Sequence, residues 1–460
     1  MSAAGFLGGR RITVRRSFWL RPQTLAILIA TLFNAGLCFV NTVAGGVGNS
    51  AVIGCEVIII FAVLIYVFPT VTYPRLLAIG TAILFLAALA GARAVFSGAL
   101  DVKPIRDLLI PIAFFLLGAA APDLRLADRI VRVIVVIVIV VGVFEYLFPE
   151  LFTRIFNVAG FYIERGTMAL TQAQQSSDLF VSGMRPEGAS GGRGLFPVLG
   201  NHRVSSIFLE PISAGNFGIV VFIWALTRSL MERRVFWGLF LCAGLIIVMA
   251  DSRFGANFCA VILVLALLPL AIRKMVVAVL PVLAILGLLV LPDLLSTSFR
   301  IDNGFIGRII LSGSILDKFT TLQWLGLSTP EFVTSDSGYA YTLGGFGVVG
   351  IALFWMALML LRGKNNSFYL IRDLSAAYFA ILLCISNSPF TIKTGALLWF
   401  LIGAVSQNRL SPMKAVHLPS GKNNANLRSS RIDGMARHSK NSSRAHYTEL
   451  SRLANGGAVR

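Results

Sequence analysis

Long apolar runs separated by short polar breaks recur between residues 24 and 405. With boundaries good to about 2–4 residues, they fall at 24–43, 51–68, 76–96, 105–121, 133–148, 211–226, 235–250, 254–272, 275–291, 336–361, 374–385 and 394–405. Most approach the roughly 20 residues a helix needs to cross a bilayer core about 30 Å thick. The runs are continuous rather than alternating, which predicts membrane helices and not barrel strands. The Val/Ile-rich run from 133 would suggest a buried strand in water, but its length and setting favour a membrane helix. The pattern predicts an all-α polytopic membrane protein with about twelve transmembrane helices.

Charge orients the pattern. Residues 1–23 carry Arg10, Arg11, Arg15, Arg16 and Arg21 and no acid. Further Lys/Arg clusters lie at Arg75, 125–132, 228–234, 273–274 and 362–364, and in the polar tail 407–460. They fall on alternate breaks, so the positive-inside rule makes both termini cytoplasmic. The expected organisation is a basic N-terminus over 1–23, a transmembrane domain over 24–406 and a basic disordered tail over 407–460. Two long polar loops, 149–202 and 292–335, then face outward. Within the second, 308–325 has helical periodicity, with Ile315, Leu316, Phe319 and Leu322 on one face, and reads as a helix lying on the bilayer surface. Arg93, near the far end of its run, reads as a snorkelling residue.

The chain is 56% hydrophobic and only 13% charged, and its mean hydropathy is +0.80. A net charge of +19 would suggest nucleic acid in a soluble protein; here it marks cytoplasmic loops and a tail suited to anionic headgroups. Cys38, Cys55, Cys242, Cys259 and Cys384 all lie inside apolar runs, which suggests neither a disulfide framework nor a zinc site.

Polar groups of chemical interest collect at the outer face. They are Arg203 and Glu210 before the sixth run, Asp251 and Arg253 after the seventh, Arg300 and Arg308 in the second loop, and Asp336, Tyr339 and Tyr341 at the tenth. If 203–213 is helical, Arg203, Ser206, Glu210 and Ser213 share one stripe. Pro211 either kinks that helix or opens a new one with Glu210 at its positive end. Asp336 either shares a face with Tyr339 or caps a helix. Arginine forks suit phosphate oxygens and can hold a lipid pyrophosphate. A carboxylate can take the proton of an attacking sugar hydroxyl, while arginines stabilise charge on the departing pyrophosphate. No acidic triad or His cluster stands at ligand spacing, so neither a metal nor another cofactor is expected.

The run from Arg203 to Phe217 (RVSSIFLEPISAGNF) resembles the motif that opens a central helix in bacterial Wzy-type polysaccharide polymerases. Asp251-Ser252-Arg253 is similar to the Ser-Arg step one helix later. Gly307-Arg308, Leu325-Gly326-Leu327 and the stretch from Asp336 to Gly350 resemble the family's second-loop signature. The wider superfamily includes the O-antigen ligases, which usually carry His-Asn where this chain has Asp336-Ser337. That departure favours a polymerase. The motifs span residues 200–361, and the remainder is similar in hydropathy alone. The resemblance implies a membrane glycosyltransferase (GT-C-like) architecture with two large periplasmic loops, in the bacterial inner membrane. It implies polymerisation of undecaprenyl-pyrophosphate-linked repeat units into exopolysaccharide or O-antigen at the periplasmic face, without a metal, alongside a flippase and chain-length or export proteins. Arg203 and Arg308 match the family's essential loop arginines, which would grip pyrophosphate with Arg253 nearby. Asp336 or Glu210 is the expected base, and Tyr339 or Tyr341 the expected sugar-stacking ring. The alternatives are ligase-type glycan transfer, or a transporter, which would place charges at the midplane.

Overall fold

The computed structural model describes residues 17–98, 103–175, 177–180, 182–184, 200–295, 305–328 and 337–408. Asp336, Arg300 and the tail from 409 onward lie outside them. Every regular element among the described residues is a helix. The first five are α1 (Pro22–Ala44), α2 (Asn49–Val67), α3 (Tyr73–Ser97), α4 (Lys103–Ala120) and α5 (Leu124–Leu147). Three short helices follow, α6 (Pro149–Ile155), α7 (Val158–Glu164) and α8 (Leu170–Gln175). Then come α9 (Pro211–Glu232), α10 (Trp237–Met249), α11 (Arg253–Leu267), α12 (Leu270–Leu295), α13 (Phe305–Asp317), α14 (Thr321–Trp324), α15 (Gly338–Leu360), α16 (Asn366–Leu382) and α17 (Ile392–Gln407).

Seven helices among the described residues, α1, α2, α3, α5, α9, α12 and α15, have the length and hydropathy to cross a membrane. Helices α10, α11 and α17 are apolar but shorter. The protein is therefore a multi-pass helical membrane protein, and length and composition alone support fewer spans than the twelve that the sequence suggests. Several boundaries also shift. Helix α5 begins at Leu124, so Asp128 is helical rather than in a loop. There it accepts from Arg228 at 2.9 and 3.1 Å and from the Trp224 indole at 3.0 Å. Arg273 lies inside α12 and pairs at 3.1 Å with buried Asp373, which also takes Arg372 at 2.6 Å.

Helices α9 and α17 form the centre. Residues 392–406 of α17 are all buried, as expected of a helix apolar on every side. Glycines let α17 reach the α4 backbone: a Cβ on Gly118 would sit 2.0 Å from the Phe400 carbonyl oxygen, and one on Gly403 2.1 Å from that of Phe115. Small residues at facing positions are the usual way membrane helices approach this closely. The approach also sets the starts of α4 and α17, and with them Arg106 and Lys393, at one end of the bundle.

The first long loop is partly folded. Phe152, Val158, Phe161, Tyr162 and Leu179 pack with Cys38, Val47, Val52 and Leu209 in a small core of their own, over the ends of α1 and α2. In the second loop, α13 packs against α12 and α15. Ile315, Leu316 and Phe319 are buried as the periodicity suggests, whereas Leu322 is 41% exposed.

Arg93 corrects its expected role. It is 1% exposed and does not reach outward. Its guanidinium donates to the Gly326 carbonyl at 2.9 and 3.0 Å, to Gly344 at 2.8 Å and to Gly345 at 2.6 Å. The acceptors exist because α15 breaks at Gly347, where φ is 67° and ψ 170°. A broken helix leaves carbonyls without intrahelical donors, which must be satisfied from elsewhere. The turn at Gly326 (φ 75°) enters that break, and a Cβ there would lie 2.5 Å from the Gly347 nitrogen. The Leu325-Gly326-Leu327 motif thus docks into α15, and Arg93 fastens the joint.

Candidate functional site

The stretch from His202 to Glu210 is not the single helix stripe envisaged from spacing. Residues 203–205 form no regular element, Ser206–Phe208 form one 3-10 turn, and Leu209 takes a left-handed conformation (φ 60°). Pro211 then opens α9 at its first position, with Glu210 at the N-cap. Arg203 and Glu210 consequently do not share a helix face.

Buried Glu145, at the end of α5, holds this irregular backbone. It is 0% exposed and accepts from Ser205 N at 3.0 Å, Ser205 Oγ at 2.9 Å and Ser206 N at 2.5 Å. His202 Nε2 lies 3.3 Å away. A left-handed non-glycine residue costs roughly 1–2 kcal/mol, and the carboxylate's hydrogen bonds offset that at Ser206, where φ is 51°. Arg203 braces the same segment: its Nε donates to the Ala250 carbonyl and its Nη1 to that of Ser182, each at 3.2 Å. The Asp251-Ser252-Arg253 step is the α10–α11 turn, with Asp251 and Ser252 buried and Arg253 half-buried at the first position of α11. Ser252 caps α11 through Gly255 N at 3.0 Å and packs on Gly215 of α9.

Glu210 faces a cation and two hydroxyls. Its Oε2 lies 2.7 Å from Lys393 Nζ and accepts from Ser213 Oγ at 2.8 Å, while its Oε1 accepts from the Tyr162 hydroxyl at 2.6 Å. Lys393 Nζ also donates to the Phe208 carbonyl at 3.4 Å. Burial works to raise the Glu210 carboxyl, but Lys393 and the two hydroxyl donors outweigh it and hold the group below the usual carboxylate range. Burial and the neighbouring Glu210 charge push the Tyr162 phenol well above its ordinary value. The arrangement is an ionised carboxylate with a neutral phenol donating to it.

A second charged group adjoins the first. Arg106 bridges Glu56 and Asp107, each at 2.7 Å. The Tyr341 hydroxyl donates to Asp107, and Lys103 Nζ sits 4.5 Å from the Tyr341 ring centroid. Glu56 is within electrostatic reach of Arg106, Asp107, Arg165 and Lys393, so the two groups form one charged end of the bundle. Tyr341 is half-buried beside these charges. Tyr339 is 0% exposed and donates to the Ala380 carbonyl at 3.0 Å, so as placed it offers no face to a sugar. Arg308 is half-buried in the first turn of α13. Asp336, the other expected base, falls outside the described residues.

Sequence reading did not single out Glu56, Lys103, Arg106, Asp107, Tyr162, Arg165 or Lys393. A signal existed for Glu56, which interrupts the apolar run 51–68, because an ionisable residue inside such a segment is a functional candidate by default. Fold and charged end together define a multi-pass helical membrane protein with a polar centre at one end of its core helices. Comparison with family models, curated proteins and solved structures finds no match to the chain.

Proposed function

We propose that the chain is a membrane glycosyltransferase that extends lipid-linked oligosaccharide repeats, in the manner of the Wzy-type polymerases its motifs resemble. The observation that carries this reading is Glu210. It lies inside the motif and at the start of a central helix, and Lys393, Tyr162 and Ser213 keep it ionised. An ionised carboxylate is the form a general base needs to take a proton from an attacking hydroxyl. Surrounding cations supply the charge that a departing pyrophosphate requires. In this reading Arg308 holds pyrophosphate, Arg203 braces the segment that carries Glu210, and Tyr341 presents its ring to sugar. Asp336 remains the second candidate base.

The reaction would join repeats at the periplasmic face of a bacterial inner membrane, with undecaprenyl pyrophosphate as the leaving group. The test is elongation of a defined lipid-linked repeat by purified protein. Wild type should build a ladder of products, and Glu210→Gln and Arg308→Ala should each reduce it by about 100-fold or more, the scale for loss of a base or a charge-stabilising group. Full-length ladders from both variants would refute the assigned roles. Surface glycan from cells lacking the protein separates polymerase from ligase: single repeats mark a lost polymerase, and long unattached polymer marks a lost ligase.

A further inference from the structure

Arg165, at the end of α7, is the cation whose environment is incomplete. The charged end holds Lys103, Arg106, Arg165 and Lys393 against Glu56, Asp107 and Glu210. Arg106 is committed to Glu56 and Asp107, and Lys393 to Glu210. Arg165 has no such partner among the described residues: its Nε is buried and donates to no acceptor. The guanidinium instead lies over the Phe161 and Tyr162 rings, 5.2 and 5.3 Å from their centroids. Those contacts hold the group by cation–π attraction, and neither ring offers a hydrogen-bond acceptor matched to the guanidinium fork.

Two features make this a receiving site rather than a resting place. A buried donor left unsatisfied is costly, and more so on a charged group. Arg165 also lies within electrostatic reach of both Lys393 and Glu56, and with four cations against three carboxylates the cluster keeps a positive excess that favours a further anion. From this geometry we infer that Arg165 receives an oxyanion of the substrate, presenting its fork bidentately to a phosphate or a carboxylate group. The assignment rests on the glycosyltransferase reading for its place in a reaction, but the binding it describes does not depend on turnover. It also separates Arg165 from Arg203, whose guanidinium is spent on backbone carbonyls at 3.2 Å.

The experiment measures binding of inorganic pyrophosphate and of glucuronate by calorimetry, with full-length protein in phosphatidylcholine nanodiscs. Arg165→Gln should weaken one of the two by at least about tenfold, the scale of a lost charge-assisted pair. Loss with pyrophosphate assigns a phosphate ligand, and loss with glucuronate an acidic sugar. Arg132→Gln, an exposed cation outside this cluster, should bind as wild type does. Arg165→Lys keeps the charge without the fork and should weaken binding by at least about threefold; it serves as the measurement if Arg165→Gln does not fold. Wild-type affinity in either Arg165 variant, or no binding of either anion to wild type at millimolar concentration, overturns the inference. Repeat elongation is assayed on the same preparations. Arg165-dependent binding without elongation in wild type would sink the polymerase reading alone, and elongation with Arg165-independent binding would sink this inference alone.

Discussion

Replacing Lys393 by methionine tests the centre of the site. The pair it forms with Glu210 is 2.7 Å long, with side chains 9% and 24% exposed respectively. At an effective dielectric near 20, opposite charges at that distance attract by about 6 kcal/mol. Desolvating both ions consumes most of that, so the intact pair adds little net stability. Removing one partner is different, because the other is left buried and uncompensated, at a cost of about 3–5 kcal/mol. Glu210 keeps some exposure and the Tyr162 and Ser213 hydroxyls, which places the expected loss for Lys393→Met at about 2–3 kcal/mol. Glu210→Gln strands the lysine and should cost a similar amount. The double variant carries neither ion and should recover at least half of the summed loss of about 4–6 kcal/mol, giving a coupling of at least about 2–3 kcal/mol. Unfolding by SDS titration in mixed micelles, followed by circular dichroism, measures all four proteins. A Lys393→Met loss within about 0.5 kcal/mol of zero, or strict additivity in the double variant, would refute the pairing argument.

Three further outcomes follow from neighbouring features. Glu145→Ala leaves the buried Ser205 and Ser206 N–H groups without their acceptor, at about 1–3 kcal/mol each; the SDS titration should show the loss, and proteolysis should increase near residue 205. Gly347→Ala places a Cβ 2.4 Å from the Leu325 carbonyl oxygen at a φ of 67° and should destabilise by more than about 2 kcal/mol, whereas Gly54→Ala, in α2 with nothing within 4 Å, should be neutral or stabilising. The Glu210 carboxyl titrates below its unfolded value, so its contribution is complete above the ordinary carboxylate pKa of about 4.3 and is lost as pH falls through the lower folded value; melting temperature against pH should flatten in that acid range in Glu210→Gln.

The membrane class was legible because hydrocarbon tolerates only long apolar helices, and that demand is written into composition and run length. The site was legible only where a motif marked it. Spacing left 203–213 open between one continuous stripe and a helix opened by Pro211, and the second holds: an irregular segment and a 3-10 turn precede α9, which begins at Pro211. Arg93 was misread because its acceptors lie 233 to 252 residues away and arise from a helix break at Gly347 that hydropathy does not register. Lys393 and Arg106 each look like an interface residue in isolation, and only the close approach of α17 to α4 brings them to the same end as Glu210.

Glu145 and Glu210 show what folding adds to such a list. Both are carboxylates near helix ends at the edge of apolar runs, and hydropathy does not rank them. In the fold, Glu145 is enclosed and spends its oxygens on the N–H groups and hydroxyl of Ser205 and Ser206, so a proton gained there would loosen the backbone it holds. Glu210 keeps partial exposure and meets a lysine and two hydroxyls, contacts that stabilise its charge while tying down no main-chain group. A carboxylate can exchange protons with a substrate only if protonation does not dismantle the site around it. Glu145 fails that condition at the main chain, whereas loss of charge on Glu210 breaks side-chain contacts alone, so Glu210 is the better placed of the two to act as the base in the proposed reaction.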